Sequence, residues 1–233
     1  MKVIDFENKI LFELKTVIES IIQKYSSLNI SAKSRAGAEI SSFLESEFVK
    51  ETKDNQFLKK SEASPSGATK NPWDVMTFFC INGHEELLWI DFKAVKVSSV
   101  DSNPDIGTPD KIFNLIINGY FYLVYIFVYY EEEKDGLKFV KNREGEFVKI
   151  YFLKDISSTF RRNPKNQLQV NISAIPEKRT REEFINLLIK KIEESHRRQI
   201  HISEKALNAL ANGEIKTNLI KLNDISESKI KKI

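Results

Sequence analysis

Asp74, Asp91 and Lys93 are the residues in this 233-residue chain whose types and spacing best suit chemistry on a phosphate ester. Trp73 to Ile81 reads as a strand, Asn82-Gly83 as a two-residue turn, and Leu87 to Val95 as the returning partner strand. Alternate side chains of a strand share a face, so Asp91 and Lys93 project together while Ile90, Phe92 and Ala94 project oppositely. The turn folds Asp74 back beside Asp91. Two carboxylates and a lysine thereby converge at one end of a hairpin. Asp91 interrupts an apolar run, and burying an unpaired carboxylate is costly. A cation or the neighbouring lysine must offset that cost.

A hard divalent cation such as Mg2+ fits such a pair, because it takes a few carboxylate oxygens and leaves positions for phosphate oxygens. Bound there it would polarise a phosphate and activate a water. Lys93 beside that water could orient or deprotonate it and stabilise charge in the transition state. The plainer alternative is an ordinary Asp–Lys ion pair at a strand end.

The pattern Pro72-x-Asp74 … Asp91-x-Lys93 across a hairpin resembles the PD-(D/E)XK nuclease superfamily, with one residue inserted between Pro and Asp. That resemblance implies Asp74, Asp91 and the Phe92 main-chain carbonyl as Mg2+ ligands and Lys93 as the catalytic base or stabiliser. It also implies an auxiliary acid on the preceding helix. Glu39, in Ser34-Arg35-Ala36-Gly37-Ala38-Glu39, is the candidate for that role and Glu45 the alternative. Within the superfamily the chain is similar to type II restriction endonucleases of the EcoRV and HincII kind, from about Ser34 to about Gln199. The stretch Leu168-Gln169-Val170-Asn171-Ile172 … Thr180-Arg181-Glu182-Glu183 carries part of that likeness. What it implies is a homodimer that grips double-stranded DNA and cuts each strand once, leaving blunt ends. A minor-groove loop just before Asp74 is implied too, bringing Thr69, Lys70 and Asn71 to the DNA. A cognate DNA methyltransferase in the same cytoplasmic restriction–modification system is expected, without direct contact.

The elements that must position these residues are legible from periodicity. Ile10, Leu11, Leu14, Val17, Ile18, Ile21, Ile22 and Tyr25 recur at helical spacing from about Asp5 to Ser26. A second helix is predicted over Ala36–Glu51, followed by a loop-like polar stretch over Lys59–Pro72. After the hairpin, a polar loop from Ser98 leads to a helix with Thr108 as N-cap and Pro109 at its first position. Strands follow at Tyr120–Tyr130, Leu137–Val140, Glu146–Leu153 and Leu168–Ile175. Thr180-Arg181-Glu182-Glu183 opens a long helix as a capping box, and a short helix is expected from Ser203 to Asn212-Gly213. The expected fold is α/β, a mixed central β-sheet flanked by helices as in restriction endonucleases, in one domain spanning 1–233.

Composition sets the outer bounds. Hydrophobic residues at 41% and charged residues at 30% exclude a wholly disordered chain. The single cysteine, Cys80, excludes a disulfide framework and a Cys-rich zinc site. Acids near the start, at Asp5 and Glu7, stand where a signal peptide needs an apolar run, so an intracellular protein is expected. Phe113 to Tyr130 is uncharged over 18 residues, but its Asn and Gly residues and its Tyr/Val-rich half read as a helix end plus a buried strand, not a membrane span.

Charge is distributed unevenly. Residues 1–153 hold 19 basic and 23 acidic side chains, whereas residues 154–233 hold 17 basic and 10 acidic ones. A basic C-terminal third fits a polyanion surface beside a carboxylate cluster. The loop Ser157–Gln169, Lys165 included, is expected to meet DNA, with base reading by Arg161, Arg162, Asn163, Asn166 and Gln167, because Arg suits guanine and Asn or Gln suits adenine in the major groove. Basic residues of 178–205 are expected on phosphates. The loops Ser66–Asn71 and Ser98–Thr108 are next in line for base reading. A binding protein on a nuclease-like scaffold, with a merely structural Asp–Lys cluster, is the reading from a different class.

Overall fold

The apolar stripe of the N-terminal segment forms α1 (Val3–Lys24), which buries Phe6, Ile10, Leu14, Val17, Ile18, Ile21 and Ile22. The structure is a computed structural model. It describes residues 2–25, 27–28, 36–65, 73–98, 103–117, 122–134, 136–163 and 166–213. They group into two compact units, Met1–Leu187 and Leu188–Ile233.

The first unit contains β1 (Ser27–Leu28), α2 (Ala36–Glu51), β2 (Leu58–Ala63), β3 (Val75–Ile81), β4 (His84–Lys96), α3 (Pro109–Ile117), β5 (Tyr122–Glu133), β6 (Gly136–Phe139) and β7 (Val148–Phe152). A 3-10 turn (Leu153–Asp155), β8 (Arg161–Arg162) and β9 (Leu168–Gln169) complete it, and α4 (Arg181–Ala211) begins within it. The main sheet runs β1-β6-β5-β4-β3-β2, with β7 also paired to β5. All its pairs are antiparallel except β4 with β5, which are parallel. The α/β fold with a mixed sheet flanked by helices is therefore as the sequence predicts.

One face of the sheet is covered by α1 and α2. Ile40, Leu44 and Phe48 of α2 join the α1 stripe and Leu88, Ile90, Phe92, Val124, Ile126 and Val128 of the sheet in one buried cluster. Those sheet residues alternate along β4 and β5, so Asp91, Lys93, Tyr125 and Phe127 fall on the other face. That alternation is what separates the chemistry from the main core.

Several sequence expectations change. Leu58–Ala63 is a strand, not a loop, paired to β3 through a register shift between Lys59 and Glu62. Its charged side chains suit an edge strand, so they mimic a loop in sequence. The strand expected over Leu168–Ile175 stops at Gln169, because Asn171 turns the chain: its Oδ1 accepts from Ser173 N and its carbonyl from Ala174 N. A single helix reaches Ala211, where two were expected, since no Gly or Pro interrupts residues 181–212. Among the described residues no helix is long and apolar enough to cross a membrane.

A buried ionic knot fixes the approach to α4. Lys154 Nζ lies 3.0 Å from Glu7 Oε2 of α1 and 3.0 Å from Asp155 Oδ1, and it donates to the Arg179 carbonyl at 2.8 Å. Asp155 Oδ1 also accepts from Arg179 N. Thr180 and Glu183 then close the predicted capping box: Thr180 N donates to Glu183 Oε2 at 2.7 Å and Glu183 N to Thr180 Oγ1 at 3.2 Å.

Candidate active site

Asn82 and Gly83 adopt φ of 51° and 79°, the positive values a two-residue hairpin turn demands. The resulting register pairs Ile81 with His84 and Val75 with Ile90, which sets Asp74 across from Asp91. Asp74 is held by its backbone on both sides. Its N–H donates to the Ile90 carbonyl at 2.7 Å, and its carbonyl accepts from Ser64 N at 2.7 Å. Its carboxylate Oδ2 accepts from Phe92 N at 2.7 Å. Little freedom remains for the carboxylate to swing away.

Lys93 Nζ lies 2.7 Å from Asp91 Oδ1; the lysine side chain is 28% exposed and the aspartate only 7%. The ammonium thus reaches solvent while the carboxylate does not. Among the described residues no hydrogen bond of good geometry reaches the buried Asp91 Oδ1, which faces the Lys93 ammonium as an ion pair. Burial, chiefly, pushes the Asp91 carboxyl up to about 7; Lys93 opposes the shift and Asp74 adds to it. Burial also raises Asp74, against the Phe92 amide and Lys93. The two carboxyls lie within hydrogen-bonding reach of each other, an arrangement that favours one shared proton when no cation is present.

Both acids considered for the auxiliary role, Glu39 and Glu45, lie on α2. Ser41 Oγ donates to the Phe92 carbonyl at 3.0 Å, docking one face of the helix on the end of the hairpin. Glu45 lies one turn further along that face. Its carboxyl is raised by burial and by the negative charge of Asp74. Glu39 stands two residues before Ser41, about 200° around the axis. The structure therefore brings Glu45, not Glu39, towards the aspartates.

The donor set fits a hard divalent cation. Among the described residues no group of three or more His, Cys, Asp and Glu forms a metal cage. Mg2+ needs no such cage, since one or two carboxylates with water and substrate oxygens suffice. Asp74, Asp91, whose buried Oδ1 faces Lys93, and the Phe92 carbonyl are the groups available.

Tyr125 lies opposite Asp91 in the parallel β4–β5 register. Fully buried, its phenol is raised well above the usual range, by burial first and then by Asp91. In sequence it lies in the Tyr/Val-rich stretch read as a buried strand. The predicted base readers lie elsewhere in the first unit: Arg161 and Arg162 form β8, and Asn163, Asn166 and Gln167 belong to its connection to β9. Lys165, Thr69, Lys70, Asn71 and Pro72 lie outside the described residues. Lys96, on β4 beyond Lys93, is ion-paired with Glu132 at 2.8 Å.

Residues 2–210 match a family described as "SwaI-like: SwaI restriction endonuclease". No curated protein matches the chain significantly. Among solved structures the chain is similar to NlaIV restriction endonuclease at 13% identity and a TM-score of 0.48, over 82% of this chain and 80% of that one.

Proposed function

Because the chain belongs to the SwaI-like restriction endonuclease family and is a type II site-specific deoxyribonuclease, we propose that it cuts double-stranded DNA with Mg2+ at Asp74 and Asp91, using Lys93. The observation that carries the assignment is the buried Asp91 oxygen with Lys93 Nζ 2.7 Å away, beside the half-buried carboxylate of Asp74. When bound, Mg2+ supplies Lewis acidity at the scissile phosphate and a more acidic water.

The chain's own groups do the rest. Asp74 and Asp91 would offer carboxylate oxygens to the cation, with the Phe92 carbonyl as a third donor. Lys93, on the solvent side of Asp91, orients the attacking water and stabilises charge that develops on the phosphate. Glu45 assists from α2, in the role first given to Glu39, and Ser41 steadies the Phe92 carbonyl.

The finer likeness to the EcoRV and HincII kind belongs to this reading: a homodimer with blunt cutting, a DNA-facing loop holding Thr69, Lys70 and Asn71, and a cytoplasmic system that includes a separate DNA methyltransferase. Dimerisation is supported by apolar side chains left exposed on α4, where Ile200, Leu207 and Leu210 are 58%, 63% and 48% exposed. Plasmid and phage DNA should give discrete fragments with Mg2+, none with EDTA and none with Lys93→Ala. Full cutting by Lys93→Ala would remove that residue from the mechanism. Mapping the cut ends tests the blunt geometry, and sedimentation of the free protein tests the dimer. Intact DNA affinity without cleavage under any divalent ion would favour a binding protein on this scaffold.

A further inference from the structure

β8 and β9 form a two-stranded antiparallel sheet in which Arg161 faces Gln169 and Arg162 faces Leu168. A third segment runs along the free edge of β9. Ile106 N donates to the Leu168 carbonyl at 2.8 Å, Leu168 N to the Gly107 carbonyl at 2.8 Å, and Val170 N to the Pro104 carbonyl at 3.1 Å. Asp105 is thereby bridged antiparallel to Gln169. Directly opposed residues project from the same face of a sheet. Arg161, Gln169 and Asp105 consequently form one row across three chain segments. The alternate residues, Leu168 and Ile106, are buried at 0% and 2%.

Arg161 and Asp105 are exposed, and Gln169 is half-buried. Two strand spacings make the row about 10 Å long, comparable with the roughly 12 Å width of a DNA major groove. Other polar side chains here are engaged in the hairpin itself. Asn163 Oδ1 accepts from Gln167 N at 2.9 Å while its Nδ2 donates to Asp105 Oδ1 at 3.2 Å. Arg162 Nε donates to Asn166 Oδ1, and Asn166 takes a φ of 61° to make the turn. Among the described residues the side chains of Arg161 and Gln169 make no such bond.

We propose that Arg161, Gln169 and Asp105 read base edges in the major groove, while Arg162, Asn163 and Asn166 shape the hairpin that presents them. The inference rests on the reading of the chain as a site-specific DNA nuclease and deepens it. The row offers the three chemistries that base edges require: a guanidinium fork for guanine O6 and N7, an amide for adenine N6 and N7, and a carboxylate acceptor for an exocyclic amine. Asn163 aligns the carboxylate for that task. Gln169 ends the loop expected from sequence to meet DNA, and Asp105 lies in the Ser98–Thr108 loop next in line for base reading; their alignment in one row with Arg161 comes from the tertiary pairing.

The test compares wild type with Arg161→Ala, Gln169→Ala, Gln169→Glu, Asp105→Asn and Asn166→Ala on a DNA library randomised around the site, with cut ends sequenced and melting temperatures recorded. Arg161→Ala and Gln169→Ala should each lose discrimination at one base position by about fivefold or more, at unchanged melting temperature. Gln169→Glu should change which base is preferred there. Asn166→Ala should lower the melting temperature and weaken cutting of every sequence alike. Base preferences unchanged in Arg161→Ala, Gln169→Ala and Asp105→Asn would overturn the assignment while leaving the nuclease reading intact. Wild-type protein that cuts without any base preference would overturn both.

Discussion

The Tyr125 hydroxyl donates a 2.8 Å hydrogen bond to the carbonyl oxygen of Ile106. One fully buried side chain thus joins β5, where it lies opposite Asp91, to the segment that carries Asp105. Tyr125→Phe keeps the ring packing but leaves the Ile106 carbonyl without this donor. A stability loss of about 1–3 kcal/mol in urea unfolding is expected. Cleavage of the preferred site should slow more than non-cleaving DNA association weakens, because the segment proposed to read bases loses its tie to β5 beside Asp91. Equal loss in both assays would reduce Tyr125 to a packing role.

Asp91 makes the metal-free protein sensitive to pH. Its carboxyl titrates at about 7 in the folded chain and at about 4 in the unfolded one. Between these values the folded state binds more protons, so stability falls as pH rises from about 4 to about 7. Asp91→Asn should therefore melt higher than wild type at pH 8 without metal, and that advantage should vanish near pH 4. Mg2+ should stabilise wild type at pH 8 but not Asp91→Asn. Scanning calorimetry at the two pH values, with and without Mg2+, measures all three differences.

Glu45 and Glu39 separate cleanly by mutation. Glu45→Gln removes a charge that Asp74 feels and should slow Mg2+-dependent cleavage by about tenfold or more, the consequence of about 1.4 kcal/mol of lost transition-state stabilisation. Glu39→Gln should cut within about twofold of wild type. Single-turnover rates on one cleavable duplex decide between them, and the reverse ranking would restore Glu39.

Lys154 stabilises the first unit by neutralising two buried acids. Glu7 and Asp155 are 4% and 0% exposed, and Lys154 itself is 5% exposed. Lys178 Nζ also lies 3.2 Å from Asp155 Oδ2, but Lys154→Ala takes the buried cation away from Glu7 and leaves that charge uncompensated, so it should cost about 3–5 kcal/mol. Adding Glu7→Gln should recover part of that loss, since the stranded charge is gone. A double variant no more stable than the single one would show that the ion pair contributes nothing beyond packing.

The local features of this chain were readable because they depend on neighbours in sequence. Asn82-Gly83 forces the positive φ of a tight hairpin, and once that turn is fixed Asp74 must face Asp91. Period-2 and period-3.6 patterns likewise announce β4, β5 and α1, and the Thr180–Glu183 capping box opens α4 as its spacing requires. Tertiary structure decided what depends on distant partners. Leu58–Ala63 is polar and becomes a strand only because β3 offers it a ladder. Glu39 and Glu45 are alike as sequence, and only the docking of Ser41 on Phe92 turns Glu45 towards the aspartates. The row of Arg161, Gln169 and Asp105 exists because residues 104–107 pair with β9 across more than 60 positions of chain, a register that backbone hydrogen bonds set and that no local pattern encodes.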